Sequence, residues 1–167
     1  MLRLTLLFCV VLVSACARLA PVLDPASVTD SAAPSPPLYP GETLAMRNLI
    51  EASAAEHQIP ESLLHRVIQR ESDYRAAARA GPYYGLMQIL PATARTMGFE
   101  GSPERLLNPE VNLRYGGRYL RGAWLISDGD EYEAMMHYAR GYYYAARDRC
   151  MLVETGLAER EIGRRCR

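Results

Sequence analysis

The sequence predicts a mainly α-helical domain, and three observations support this fold class. Beyond residue 43, apolar residues recur at the three- and four-residue spacing of amphipathic helices. Pro60, Pro91 and Pro109 each open such a stretch, where the first turn of a helix tolerates the missing N–H. Extended patterns are nearly absent, and the one candidate is a short piece at residues 83–89.

The predicted helices follow one another closely along the chain. Leu44, Leu49 and Ile50 lie near one face of the first helix, and Leu64 and Ile68 belong to the apolar stripe of the second. In chain order the helices cover residues 43–57, the stretch from Pro60 to about Glu71, residues 91–97, 109–127 and 130–140, and a stretch after Gly141.

The N-terminus has the layout of an export signal. Arg3 precedes an apolar run at residues 4–13, and small residues follow. The run is too short to cross a bilayer as a helix, which needs about 20 apolar residues. Residues 1–15 are therefore predicted to be a signal peptide.

The end of this signal resembles a bacterial lipobox, in which Cys16 becomes the lipidated N-terminal residue. No Asp follows Cys16 to indicate retention at the inner membrane, since Ala17 stands there. The resemblance implies a lipoprotein on the periplasmic side of the outer membrane, contacting the membrane through the lipid anchor only. An ordinary signal peptide with a chance Cys is the alternative.

The remaining chain divides into three parts. Residues 16–42 carry the anchoring Cys and a proline-rich linker, which is expected to be extended and to bury no core. Residues 43–150 form the predicted catalytic domain, and residues 151–167 a basic tail. Removal of Cys9 with the signal and lipidation of Cys16 leave Cys150 and Cys166 as a disulfide candidate in an oxidising compartment, with two free thiols as the alternative.

Charge and composition argue against several kinds of partner. The 19 basic residues, all Arg, balance 19 acidic residues, which gives no electrostatic case for nucleic acid. His57, His65 and His137 are scattered without Cys or carboxylate companions at ligand spacing. We therefore predict no metal site, and no cofactor is expected. The oligomeric state is left open.

Glu71 is the candidate catalytic residue. It lies four residues after Val67 and seven after Leu64, so it projects from the apolar stripe of its helix. Burial against apolar surface raises the pKa of a carboxyl, as a general acid near neutral pH requires. For an isolated Glu at a helix end, the simpler interpretation is a solvent-exposed side chain.

An ordered series of motifs favours the catalytic interpretation. Glu71-Ser72 is followed by Gly-Leu-Met-Gln at residues 85–88, by Pro-x-Thr-Ala from Pro91, by Asn-x-x-x-Gly-x-x-Tyr-Leu from Asn112, and by His-Tyr-Ala-Arg-Gly at residues 137–141. This series resembles the catalytic domain of lytic transglycosylases of the soluble-lytic-murein type, which have a lysozyme-like (goose-type) α fold. The resemblance covers about residues 44–147.

The resemblance implies a substrate and a set of binding residues. The substrate would be a peptidoglycan glycan strand, cleaved between N-acetylmuramic acid and N-acetylglucosamine with a 1,6-anhydro product and Glu71 as acid and base. Of the tyrosines, Tyr138 is expected close to the catalytic carboxyl, and at least one of the group at residues 83–84 and 142–144 is expected to line the groove. The predicted substrate-binding residues are Ser72, Gly85, Leu86, Met87, Gln88, Tyr119, Tyr138 and Tyr142.

Two departures from the family pattern weaken the predicted fine contacts. Ala139 stands where the family has Asn after the late Tyr, and Arg79 and Ala80 occupy a region where it has a Ser. Two alternatives therefore stay open beside the transglycosylase: a lysozyme-like hydrolase that uses water, and a catalytically weak peptidoglycan-binding lipoprotein.

Overall fold

The computed structural model describes residues 36–163 and residue 166. The predicted signal, the lipobox and most of the linker lie outside them. The mainly helical fold class is confirmed. The elements in chain order are α1 (Leu44–His57), α2 (Glu61–Glu71), β1 (Arg79–Ala80), β2 (Tyr83–Tyr84), α3 (Pro91–Thr96), a 3-10 helix (Pro103–Leu107), α4 (Pro109–Leu125), α5 (Glu131–Arg140) and α6 (Tyr143–Asp148).

Polar side chains fix where three of the helices begin. Thr43, Asn108 and Asp130 each accept a hydrogen bond from the backbone N–H three residues further on, at 3.2, 3.1 and 3.0 Å. These bonds satisfy donors that the first turn of a helix leaves unpaired. No helix among residues 36–163 is long and apolar enough to cross a membrane.

Helix α4 lies at the centre of the domain and packs on α1 and α5. Its two adjacent glycines allow close approach of neighbouring elements. A Cβ on Gly116 would lie 2.6 Å from the Met87 sulfur, and one on Gly117 would overlap the His57 ring. Each of the two glycines lowers helix stability by about 1 kcal/mol relative to Ala. The close packing that they allow offsets this loss.

The two short strands form a hairpin beside α4. β1 and β2 are antiparallel, with Arg79 opposite Tyr84, and a further bridge joins Tyr84 to Ile89. Neither β1 nor the 3-10 helix was predicted from the sequence, because elements of two to five residues are too short to show a period.

The buried side chain of Asn112 joins three backbone segments. Its Nδ2 donates to the carbonyls of Tyr84 (2.8 Å) and Leu106 (2.7 Å), and its Oδ1 accepts from the N–H of Met87 (2.8 Å). One residue of α4 thus fixes the hairpin, the segment after it and the 3-10 helix in place.

The end of the predicted linker, residues 37–42, packs on the surface of the domain. The ring of Tyr39 lies 4.8 Å from that of His65 and 6.0 Å from that of Tyr74. The Glu42 carboxylate is fully buried and accepts from Arg47 Nε at 2.6 Å. Aromatic stacking and this ion pair order the segment despite its prolines.

The segment after α6 also belongs to the folded domain. Leu152 is fully buried in the core, and Thr155 is buried against α4 near Gly122. Cys150 and Cys166 form a disulfide with a Cα–Cα distance of 5.3 Å, the pairing that the sequence favours. Part of the predicted basic tail is therefore a packed element.

Asn112→Ala tests the bridging role of that side chain. Loss of its three hydrogen bonds leaves buried backbone groups unpaired, so we expect the free energy of unfolding to fall by roughly 3 kcal/mol or more. Asn108→Ala is the matched control on the same helix and removes only an exposed cap, with a loss of about 1 kcal/mol. Urea denaturation of both variants measures the difference, and equal losses would contradict the bridge.

Candidate active site

A cleft of about 550 Å³ opens between the C-terminal ends of α2 and α5 and the segment around β2 and α3. Its walls combine a carboxyl, two guanidinium groups, an amide and several aromatic rings. The lining residues are Arg70, Glu71, Ala80, Tyr83, Gln88, Ile89, Leu90, Thr93, Tyr119, Tyr138, Ala139, Arg140 and Gly141.

Glu71 is the last residue of α2 and the only carboxylic acid among the described residues that line the cleft. Helix periodicity places it on the same side as Val67 and Ile68, which are fully buried, and its side chain is 23% exposed. Desolvation raises the pKa of Glu71, and Arg70, whose Nε lies 3.7 Å from Oε1, offsets part of that rise. The carboxyl thus holds its proton more readily than a solvated Glu does.

Gln88 lines the cleft, and its amide is held in one orientation. Its Nε2 donates to the carbonyls of Gly85 (2.7 Å) and Ala78 (3.1 Å), which fixes the orientation of the amide. The Oε1 atom is buried and accepts no hydrogen bond from any described group. A buried acceptor without a partner is unfavourable, so this oxygen is suited to a donor on a bound molecule.

Tyr119 and Tyr138 supply two of the aromatic rings that line the cleft. Their ring centroids are 5.4 Å apart, and the Tyr138 hydroxyl donates to the Met87 carbonyl at 2.8 Å. Burial, and then the charge of nearby Glu71, raise the pKa of Tyr138 well above its ordinary value. Because the Tyr138 hydroxyl donates its proton to Met87, its oxygen can only accept in any further hydrogen bond.

Tyr142 does not line the cleft, although it is one of the predicted substrate-binding residues. Its side chain is buried, its ring centroid lies 4.7 Å from that of Tyr119, and its hydroxyl donates to the Tyr119 carbonyl at 2.8 Å. Tyr142 therefore supports Tyr119 from behind. Of the tyrosines at residues 83–84 and 142–144, Tyr83 lines the cleft.

Four other predicted substrate-binding residues also lie behind the cleft wall. The Ser72 hydroxyl donates to the Ile68 carbonyl (3.4 Å) of its own helix. Leu86 and Met87 are fully buried in the core. Gly85 faces Asn112, because a Cβ there would overlap the Asn112 amide rather than meet a ligand. We assign packing roles to these four, while Gln88, Tyr119 and Tyr138 line the cleft.

Sequence reasoning missed two charged residues of the cleft. Arg70 and Arg140 both line it, beside Glu71 and Ala139 respectively. Exposed arginines near helix ends resemble ordinary solvated surface. The sequence signals were that Arg70 precedes Glu71 and that Arg140 lies within the late motif. Among the described residues, no group of three or more His, Cys, Asp or Glu side chains could hold a metal ion.

The chain is similar to proteins of a known family. The family model described as "Transglycosylase SLT domain" matches residues 48–149, which include every residue that lines the cleft. The Peptidoglycan transglycosylase gp16 of Escherichia phage T7 is 32% identical over 98 residues, which is 56% of this chain. The chain spans only 7% of the length of that relative. No solved structure matches significantly.

Gly85→Ala tests whether this glycine is required by packing. Gly85 and Gly81 both have positive φ, at +74° and +58°, but a Cβ on Gly81 would meet nothing within 4 Å. Both variants carry the left-handed strain of about 1–2 kcal/mol. Gly85→Ala adds overpacking of about 1–3 kcal/mol. Thermal denaturation of the pair reads out the difference, and equal stability would refute the packing role.

Glu71→Gln tests the electrostatics of the site through stability. The folded pKa of Glu71 is raised, so its contribution to stability is present below the unfolded pKa and is lost as pH rises through the folded value. We expect Glu71→Gln to gain stability relative to the parent protein as pH rises from 4 to 8, by a few degrees in Tm at most.

Asp128→Asn is the control of opposite sign. The hydrogen bond from Arg149 lowers the pKa of Asp128, so that carboxylate stabilises the fold above its unfolded pKa. The Asp128→Asn variant should lose stability relative to the parent over the range in which Glu71→Gln gains it. Calorimetry across pH compares the two, and parallel curves would argue against a desolvated Glu71.

Proposed function

The chain belongs to the transglycosylase SLT domain family, and from this premise we propose that it is a peptidoglycan lytic transglycosylase. It cleaves the β-1,4 bond between N-acetylmuramic acid and N-acetylglucosamine and leaves 1,6-anhydromuramic acid ends. The observation that carries the proposal is the desolvated carboxyl of Glu71, alone among the described acids in a cleft whose walls suit sugars. The named activity of the phage relative supports the substrate class.

Glu71 serves as both acid and base in the proposed reaction. Its protonated carboxyl donates a proton to the glycosidic oxygen as the bond to C1 of the muramic sugar breaks. The resulting carboxylate takes the proton of the 6-hydroxyl while O6 bonds to C1. Glu71 is thereby reprotonated, and no water is consumed. A raised pKa suits the first step because it increases the fraction of the acid form at a given pH.

The number of carboxyl groups favours this chemistry over hydrolysis. Most glycosidases use two carboxyl groups, about 5–9.5 Å apart, one of which attacks the sugar or activates water. Glu71 has no such companion among the described lining residues. An intramolecular hydroxyl needs no second carboxylate, so a single acid suffices.

The remaining cleft residues bind and orient the sugars. Gln88 Oε1 accepts from an acetamido N–H, which satisfies its unpaired buried acceptor. Tyr83 and Tyr119 offer ring faces to the apolar faces of sugar rings. The Tyr138 oxygen, whose proton is held by Met87, accepts from the protonated Glu71 or from a sugar hydroxyl.

The cellular location is part of the same proposal. We infer a lipoprotein on the periplasmic side of the outer membrane, anchored through Cys16, from the signal and lipobox patterns of residues 1–16. The Cys150–Cys166 disulfide supports an oxidising compartment. Peptidoglycan lies within reach of a domain tethered there by a linker.

Glu71→Gln tests the proposed reaction. The full-length protein in detergent is incubated with peptidoglycan sacculi, and the released muropeptides are identified by mass. We expect 1,6-anhydro products from the parent protein and at least about a 100-fold lower rate from Glu71→Gln, because the amide cannot donate or take the proton. Glu51→Gln, which removes an exposed carboxylate of α1, is the matched control and keeps the parent rate.

Other outcomes select the alternatives. Products with reducing ends would identify a hydrolase that uses water. Binding to sacculi without release by the parent protein would identify a peptidoglycan-binding lipoprotein. Equal release by the parent protein and Glu71→Gln would remove the role assigned to Glu71.

A further inference from the structure

Two arginines line the cleft together with Glu71, and the proposed bond cleavage gives neither of them a proton to transfer. Arg70 comes from the last turn of α2, and Arg140 is the last residue of α5. Both line the cleft, with side chains 43% and 55% exposed. No Lys occurs in the chain, and among the described lining residues these two are the only cations.

Packing of α2 against α5 brings Arg70 and Arg140 to the same cleft. Arg70 Nη1 lies 3.8 Å from the sulfur of Met136. Met136 and Arg140 are four residues apart on α5, so they are neighbours on the same face of that helix. The Arg70 side chain therefore contacts α5 one helical turn before Arg140, and Ala139, which also lines the cleft, adds no polar side chain there.

The partners of both arginines are weak and exchangeable. Arg140 Nη2 lies 3.2 Å from a carboxylate oxygen of Glu133, whose side chain is 49% exposed. Arg70 Nε is 3.7 Å from Glu71, and its other contact is the Met136 sulfur. Surface ion pairs of this kind contribute about 0–1 kcal/mol. A guanidinium has five N–H donors, so both groups can engage a ligand with little loss.

A cleft with two cations and one acid favours an anionic ligand. Arginine pairs with carboxylates through two parallel hydrogen bonds, which gives orientation as well as attraction. In the substrate of the proposed function, the group that carries carboxylates is the lactyl arm of the muramic sugar. That arm ends in a peptide stem with its own carboxylates, or in a free lactyl carboxylate where the stem is missing.

We propose that Arg70 and Arg140 bind a carboxylate borne on the lactyl arm of the muramic sugar next to the scissile bond, and thereby make negative charge on that arm a determinant of substrate specificity. The proposal rests on the proposed function for the identity of the sugar. It predicts discrimination against neutral β-1,4-linked glycans that fit the cleft equally well in shape.

Equilibrium binding in a background that cannot cleave tests the proposal separately from catalysis. Full-length Glu71→Gln, with and without Arg140→Gln, is titrated with three soluble glycans: one with peptide stems, one stripped to free lactyl carboxylates by an amidase, and one with every carboxylate converted to an amide. Arg140 is chosen because Arg70 contacts residue 71, the position that is already substituted. Arg114→Gln, an exposed arginine of α4 outside the cleft, is the matched control.

We expect Arg140→Gln to raise Kd about tenfold for carboxylate-bearing glycan, which corresponds to about 1.4 kcal/mol, and to change Kd for the amidated glycan far less. Arg114→Gln should bind all three glycans as its parent does. An effect confined to the stem-bearing glycan identifies the stem as the source of the carboxylate, and an effect on the stripped glycan identifies the lactyl group. An equal change in Kd for charged and amidated glycans would overturn the proposal.

The outcomes also separate this inference from the proposed function. Charge-dependent binding by Glu71→Gln, together with no anhydro products from the parent protein, would leave the arginine site standing and remove the lyase. Anhydro products from the parent protein together with charge-independent binding would support the lyase and overturn the arginine site. No binding of any glycan would overturn the arginine site.

Discussion

The architecture of the cleft depends on the buried amide of Asn112. It fixes the Met87 N–H from one side, while Tyr138 donates to the Met87 carbonyl from the other. A single residue of the strip after β2 is thus tied to α4 and to α5 at once. Apolar packing alone tolerates small rotations, whereas a fully satisfied buried amide specifies one arrangement. Gln88 follows Met87 directly, so the hydrogen bonds that fix the Met87 backbone also limit where Gln88 Oε1 lies.

The same network explains why several motif residues occur together. Gly85 has no side chain because the Asn112 amide occupies the space that a Cβ would need, and Gly116 has none because the Met87 sulfur lies there. The Gly-Leu-Met-Gln strip and the Asn-x-x-x-Gly series are complementary halves of one contact between the strip and α4. Most of the motif therefore builds the support, while a minority of its residues bring polar groups to the cleft: Glu71, Gln88, Thr93, Tyr119, Tyr138 and Arg140.

Helices were predictable from the sequence because their signals are local: periodic apolar residues and a Pro in the first turn. Glu71 was predictable because helix period places it beside Val67. The orientation of the strip was not, since Gly85 and Gln88 both have positive φ, and such a turn breaks any period that would show which side chains face inward. Leu86 and Met87 consequently lie in the core. Arg70 and Arg140 were missed for another reason. They are distant in sequence, and only the packing of α2 on α5 brings both to the cleft.

The site also carries an energetic conflict that follows from its chemistry. Desolvation at the end of the apolar stripe makes the ionised form of the Glu71 carboxyl less favourable. A Gln at this position would not carry that penalty. Arg70 lowers the pKa of Glu71 in part, so too strong a pairing would deprive the acid of its proton. The observed separation of 3.7 Å, with a guanidinium 43% exposed, is a weak pairing. It leaves Glu71 able to hold a proton and leaves Arg70 free to engage a carboxylate on the substrate. Acid strength and substrate charge are therefore coupled through one side chain at the rim of the cleft.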